Sequence, residues 1–202
     1  MKSEICSLFP TPIHISNYFL NIDDIINFCD SIEYRGNETN VQSVDTFVLE
    51  NEIFYNLKIF IESKIKDYTK KVLGSDQKVS ITQSWINKSP KGGQHKIHTH
   101  PNSLISGVFY LKLDSDMPQI TFYKDFPSSF SLSSSIITEY TTDYFSLDVS
   151  KGNLVLFPSQ LKHAVSMNKS EKDRISLSFN TFPANSFGHK DFLTFTPYNL
   201  NC

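Results

Sequence analysis

A chain of 202 residues with 39% hydrophobic and 20% charged side chains is long enough to bury a core and too apolar for a disordered segment. Its 19 basic and 21 acidic residues leave a formal charge of -2, which gives no overall field for a phosphate backbone; small molecules or peptides are the expected partners, not nucleic acid. Three cysteines, Cys6, Cys29 and Cys202, show no paired spacing, which argues against a disulfide framework and for a reducing, cytoplasmic setting.

The opening MKSEICSLFPTPIHI lacks the apolar centre of a signal peptide, and no apolar run approaches the ~20 residues of a membrane span. Residues 5–19 alternate loosely around two prolines and predict a short edge strand. From Asn21, the run NIDDIINFCDSIE sets Ile22, Ile25, Ile26, Cys29 and Ile32 at helical spacing, with Asn21 as cap and two acids in the first turn. A second helix is predicted from about Asn51 to Leu73 on the stripe Ile53, Leu57, Phe60, Ile61, Ile65, Tyr68 and Val72, ending at Gly74.

Beyond Gly74 the period changes to two in KVSITQSWIN, SGVFYLKL, QITFYK, GNLVLF and RISLSFNTF. Helices that precede strands, and do not alternate with them, predict a mainly β sandwich or barrel with both helices on one face. One domain over 1–202 is expected, with helical support at 20–74 and a β core at about 78–182. The serine-rich stretch 128–135 is expected to be a loop or hairpin tip.

Four of the six histidines fall in two places: His95, His98 and His100 in GGQHKIHTHPNS, and His163 in FPSQLKHAVS. In a strand, residues two apart share a face, so His98 and His100 can converge on one metal, while His95 points away unless a bulge intervenes. An isolated His-x-His is more often incidental than a metal site; the second cluster shifts the balance. The segment from Gly152 reads as strand, loop, strand with His163, polar turn and strand opening at Arg174, and predicts a hairpin that sets Arg174 roughly 7 to 10 Å beyond His163. That spacing suits a short diacid that chelates a metal at one end and meets a guanidinium at the other. Ser176 shares the face of Arg174. Asn180 and Ser178 extend that polar face, whereas Ile175, Leu177 and Phe179 make an apolar one.

In their order these motifs resemble the iron(II) and 2-oxoglutarate dependent dioxygenases of the double-stranded β-helix (jelly-roll, cupin-like) fold, in particular the prolyl 4-hydroxylase-like group and its relatives in marine bacteria and phages. The likeness spans roughly residues 80 to 182. It implies Fe(II), 2-oxoglutarate and O2 as cofactor and cosubstrates, with hydroxylation of an unactivated carbon and release of succinate and CO2. His98 matches the first metal histidine, His163 the distal one, and Arg174, eleven residues further on, the residue that holds the far carboxylate of 2-oxoglutarate. Tyr110 resembles the tyrosine that often binds the same carboxylate, and Ser176 adds a hydroxyl.

One position departs from the family pattern: His100 stands where a ligand aspartate is usual, so the metal triad would be three imidazoles. The other role for His100 is to hold substrate, leaving two histidines on the metal. Trp85, Asn87, Gln94, His95 and Asn180 are candidates for the substrate pocket, although a lone Trp in a β domain is more often core. The expected substrate is a free or peptidyl amino acid. Two rivals remain: a three-histidine cupin-type enzyme that does not use 2-oxoglutarate, and a non-catalytic jelly-roll binding module. The apolar C-terminal FLTFTPYNL covers the chain's own sheet or forms an oligomer contact.

Overall fold

A computed structural model describes residues 3–125 and 136–198, so the serine-rich stretch 128–135 and Cys202 lie outside the described residues. The strands are β1 (His14–Asn17), β2 (Tyr34–Asn37), β3 (Asn40–Ser43), β4 (Val79–Ser89), β5 (His95–His98), β6 (Ile105–Lys112), β7 (Ile120–Tyr123), β8 (Tyr144–Ser146), β9 (Asn153–Pro158), β10 (His163–Val165), β11 (Arg174–Pro183), β12 (Ser186–Phe187) and β13 (Thr196–Pro197). Seven of them form a major antiparallel sheet in the order β1-β9-β6-β11-β4-β3-β2, and four a minor sheet in the order β5-β10-β7-β8; β12 and β13 pair with each other.

Strand alternation sends the two faces of the major sheet to different cores. On β11, Ile175, Leu177 and Phe179 point outward and join Leu57, Ile61, Ile65, Ile25 and Cys29 of the helices in one buried cluster. Tyr110, Val155 and Phe157 point the other way and meet Ile120 and Phe122 of the minor sheet in a second cluster. Burying each such side chain is worth on the order of 1.5–3 kcal/mol, so β11 is fixed in register by its apolar face while its polar face is left for the space between the sheets.

The helices are α1 (Asp23–Ser31) and α2 (Tyr55–Val72). Asn21 Oδ1 accepts from the Asp23 amide at 2.8 Å, a local closure one residue ahead of the helix cap Ile22. The second helix begins later than its apolar stripe suggests. Two 3-10 turns, Val48–Glu50 and Glu52–Phe54, precede it, and Ile53 and Val72 at the stripe's ends stay 37% and 39% exposed. It stops as expected, before Gly74 at φ +64°. Among the described residues, no helix is long and apolar enough to cross a membrane.

Two features differ from the sequence expectation. His163 and Arg174 do not share a hairpin: β10 pairs with β5 and β7 in the minor sheet, whereas β11 pairs with β4 and β6 in the major one. The polar turn between them crosses from one sheet to the other, because β11 has its apolar face committed to the helices. The hairpin of β2 and β3 was not foreseen. Val41 is its one aliphatic residue, so its sequence, YRGNETNVQS, carries no period-two signal.

Gly107 on β6 sits directly beneath the Phe179 ring, where an added Cβ would come within 2.0 Å of the ring's Cζ. Gly107→Ala is therefore expected to lower the urea midpoint by an amount equivalent to about 1–3 kcal/mol, and Phe179→Leu in the same chain to recover part of it.

A three-histidine cavity beside a buried arginine

The minor sheet's register brings the histidines together. His163 lies directly across from His98 in the antiparallel pair β10–β5, where His163 opens its strand and His98 closes its own. A register shift places Val165 opposite His95, so two residues on β10 span three on β5; this bulge turns His95 back toward the cavity that His98 faces. His100 lies just past the end of β5, its amide donating to the Ser159 carbonyl at 2.9 Å. Trp85 of β4 stacks on it, with ring centroids 6.1 Å apart and planes at 30°.

One potential ligand atom from each of His98, His100 and His163 lies within 4.8 Å of the other two. The ring hydrogen bonds select which nitrogen faces inward. His98 Nδ1 is 2.7 Å from the Lys96 carbonyl and His163 Nδ1 is 2.9 Å from the Leu161 carbonyl, so each neutral ring donates outward from Nδ1 and keeps the Nε2 lone pair free. His100 Nε2 approaches His163 Nε2 to 3.2 Å. Lone pairs converging in this way suit a cation between them, and three imidazoles are a good donor set for divalent iron.

The electrostatics favour neutral rings. Burial pushes His163 down to about 3, against a hydrogen bond to Leu161 and helped by the neighbouring histidines. Burial and His98 push His100 down to about 4, opposed by a hydrogen bond to the Asn180 side chain. Burial, then Arg174, then His98 and His100 push His95 down to about 4. His95 is further tied by Asn40 Nδ2, 2.6 Å from its Nε2, which makes Nε2 the acceptor and leaves the ring proton on Nδ1.

At the other end of the cavity Arg174 is 1% exposed. Its Nε donates to the Pro118 carbonyl at 3.1 Å, and Cζ lies 5.3 Å from the Tyr110 ring centroid. Among the described residues no carboxylate pairs with it. A buried guanidinium without a counterion costs several kcal/mol, a cost that an incoming carboxylate would offset. Around it, Asn87 Oδ1 and Ser89 Oγ are buried and have no hydrogen-bond partner among the described residues, and the buried Tyr110 hydroxyl interacts with the guanidinium itself. Ser89 stands directly across from Arg174, while Asn87 and Tyr110 flank Ser176 from the two neighbouring strands. Burial raises the Tyr110 hydroxyl to about 12, with Arg174 acting against it, so it stays a proton donor at neutral pH.

The partly open cavity measures about 220 Å3 and is lined by the three histidines, Arg174, Ser176, Ser178, Trp85, Asn87 and His95, together with Asn37 and Gln42 from the unforeseen hairpin. Gln94 is outside this lining; its carbonyl accepts from Thr39 Oγ1 at 2.8 Å. Asn180 stands behind the wall, its Oδ1 accepting from Ser106 Oγ at 3.0 Å, and reaches the site through His100. Sequence reasoning missed Ser89, which belongs to the same inward alternation as Trp85 and Asn87, and it missed Asn37 and Gln42, whose hairpin had no hydrophobic signal. Of the cysteines, Cys6 is exposed and Cys29 is buried, and burial raises the Cys29 thiol to about 12, far from reactive.

Residues 83–180 match the model of a family described as putative 2OG-Fe(II) oxygenase. No curated protein matches the chain. Among solved structures, the fold is similar to HygX from Streptomyces hygroscopicus with nickel and 2-oxoglutarate bound, at a TM-score of 0.63 and 10% identity over 86% of this chain and 83% of that one. It is similar to a Pseudomonas putida prolyl-4-hydroxylase at 0.58 and 14% over 84% and 92%. A Trichoplax adhaerens prolyl hydroxylase in complex with a hypoxia inducible factor peptide fragment gives 0.61 and 14% over 85% and 83%. The two-sheet architecture is thus the jelly roll that the sequence motifs implied.

The lowered histidines set a pH dependence for the metal-free protein. Below about 6.5 the unfolded chain takes up protons that the folded site refuses, so stability falls as pH drops from 7 toward 5. Urea midpoints across that range should decline, and His163→Gln should flatten the decline; an unchanged slope in the variant would count against neutral, buried imidazoles.

Proposed function

We propose, on the premise that the chain belongs to the 2OG-Fe(II) oxygenase superfamily through residues 83–180, that it hydroxylates an unactivated carbon of an amino acid, free or within a peptide. One observation carries the reading: a metal-competent histidine triad and a buried, counterion-free arginine open onto a single cavity. A 2-oxo diacid spans such a pair of subsites, with its 2-oxo acid end on the metal and its far carboxylate on the guanidinium.

His98, His100 and His163 would hold iron(II) through Nε2. When bound, iron, 2-oxoglutarate and O2 supply the oxidising chemistry, in which the 2-oxo acid is converted to succinate and CO2 and the substrate carbon gains a hydroxyl. Arg174 would form the charged anchor for the far carboxylate, the Ser176 hydroxyl in the cavity wall would donate to its oxygens, and Tyr110 and Ser89, buried beside the arginine, would add donors if the site opens to them. Carbonyl acceptors at Lys96 and Leu161 orient the His98 and His163 rings, and the Asn180 side chain orients His100. Phe157, packed edge-on against His163 at 4.8 Å, and Phe122 at 6.1 Å would shield the His163 side of the metal from water.

The prolyl hydroxylases among the structural neighbours, one of them solved with a peptide fragment, support an amino acid side chain as the target. His100 in place of a carboxylate favours, as the second reading, a three-histidine dioxygenase that does not use 2-oxoglutarate.

Anaerobic titration of the iron(II)-loaded protein with 2-oxoglutarate separates them. A weak visible charge-transfer band should appear and saturate, Arg174→Ala should weaken 2-oxoglutarate binding by about tenfold or more, and His100→Ala should lower iron affinity by roughly 10- to 100-fold. Stoichiometric iron with no band at millimolar 2-oxoglutarate would favour the second reading. Absence of iron binding would overturn both.

A further inference from the structure

The cavity holds one kind of charge. Among the described residues, Arg174 is the only formally charged residue in its lining, and no aspartate or glutamate contributes to it. The segments outside the described residues, 1–2, 126–135 and 199–202, contain no acidic side chain either. Glu38, at the tip of the β2–β3 hairpin between the lining residues Asn37 and Gln42, is paired with Lys96 at 3.0 Å.

The hairpin adds donors. Gln42, with its carboxamide oriented so that Oε1 faces Arg35, accepts from Arg35 Nη2 at 2.8 Å and Nε at 3.1 Å. This fork fixes the amide and turns its nitrogen to the Asn37 carboxamide, 3.1 Å from Asn37 Nδ2, in the cavity wall that both residues line. His95, with its Nε2 engaged by Asn40, is likewise a neutral N–H donor through Nδ1.

Charge balance then restricts the substrate. With neutral imidazoles, a divalent ion and Arg174 bring three positive charges, and a doubly ionised 2-oxo diacid brings two negative ones. One positive charge is left, where a triad containing a carboxylate would leave none. Resting on the function proposed above, we propose that this charge is balanced by the substrate, which enters as a carboxylate-bearing anion received by the donors of Gln42, Asn37 and His95. A cationic substrate is excluded by the same balance, since no acid in the cavity would receive it.

Probes of matched size and different charge test this. The protein, loaded anaerobically with iron(II) and saturating 2-oxoglutarate, is titrated with acetate, acetamide and methylammonium, and binding is followed by the shift of the visible band and by calorimetry. Acetate should shift the band saturably and bind at least about tenfold more tightly than acetamide, the preference a unit charge roughly 10 Å away confers at an effective dielectric constant of about 20. Methylammonium should have no effect. Gln42→Ala should weaken acetate severalfold with 2-oxoglutarate affinity unchanged, and His100→Asp, which restores the missing negative charge, should erase the preference for acetate. Equal binding of acetate and acetamide would overturn the inference, as would an acetate effect that vanishes on raising 2-oxoglutarate, because acetate would then be competing for Arg174. A normal starting band with no charge preference sinks this inference alone, whereas failure of that band to form sinks the 2-oxoglutarate reading and this inference with it.

Discussion

The antiparallel register of β10 on β5 is the constraint from which the rest of the site follows. With His163 opposite His98, the two rings lie 4.3 Å apart between centroids, and their Nδ1 atoms are already committed to the carbonyls two residues before them. A slip of one residue would send His163 to the other side of the minor sheet and leave His98 without a partner. The bulge beside Val165 lets His95 share the cavity while the His98–His163 pair is kept. His100 needs no strand position, since its backbone is pinned to Ser159 and its ring is held between Trp85 and Asn180.

The second subsite depends on the opposite sheet. β11 is locked by Ile175, Leu177 and Phe179 under the helices, and that burial fixes Arg174, Ser176 and Ser178 on the inner face. The helices thus act on the chemistry at a distance: apolar packing on one side of a strand supplies the free energy that keeps an arginine desolvated on the other. Asn168 ties the two halves together. Its side chain donates to the carbonyls of Ser89 and Lys172, and its backbone exchanges hydrogen bonds with Gly92 and Gly93, so the turn ahead of Arg174 is fastened to the loop that leads into β5. The loop into the strand of His98 and the turn before the strand of Arg174 are consequently held by one asparagine in a fixed relation.

Much of this was legible in the sequence, because the informative signals were periodic or chemically rare. Strands β4, β6, β7, β9 and β11 declared themselves by alternation, the two helices by their stripes, and the site by a concentration of histidines ahead of an Arg-x-Ser-x-Ser face. What could not be read was pairing between segments remote in sequence. His163 and Arg174 are eleven residues apart and look like partners in a hairpin, yet they belong to different sheets. The β2–β3 hairpin was invisible for a different reason: its polar, glycine-containing sequence forms strands because Val41 and Gln42 dock on the edge of β4, a tertiary effect that no local propensity reports. Ser89 was passed over since a serine acquires meaning only when the register sets it opposite a buried arginine.

The central claim is that three neutral imidazoles, with no carboxylate, bind one metal ion through Nε2. A crystal structure of the anaerobic iron(II) and 2-oxoglutarate complex tests it most directly. The account predicts a single ion with Nε2 of His98, His100 and His163 each at about 2.0–2.2 Å, the values usual for imidazole on a divalent metal, and the far carboxylate of the diacid on Arg174. An ion held by His98 and His163 alone, with the His100 ring turned away toward substrate, would contradict it.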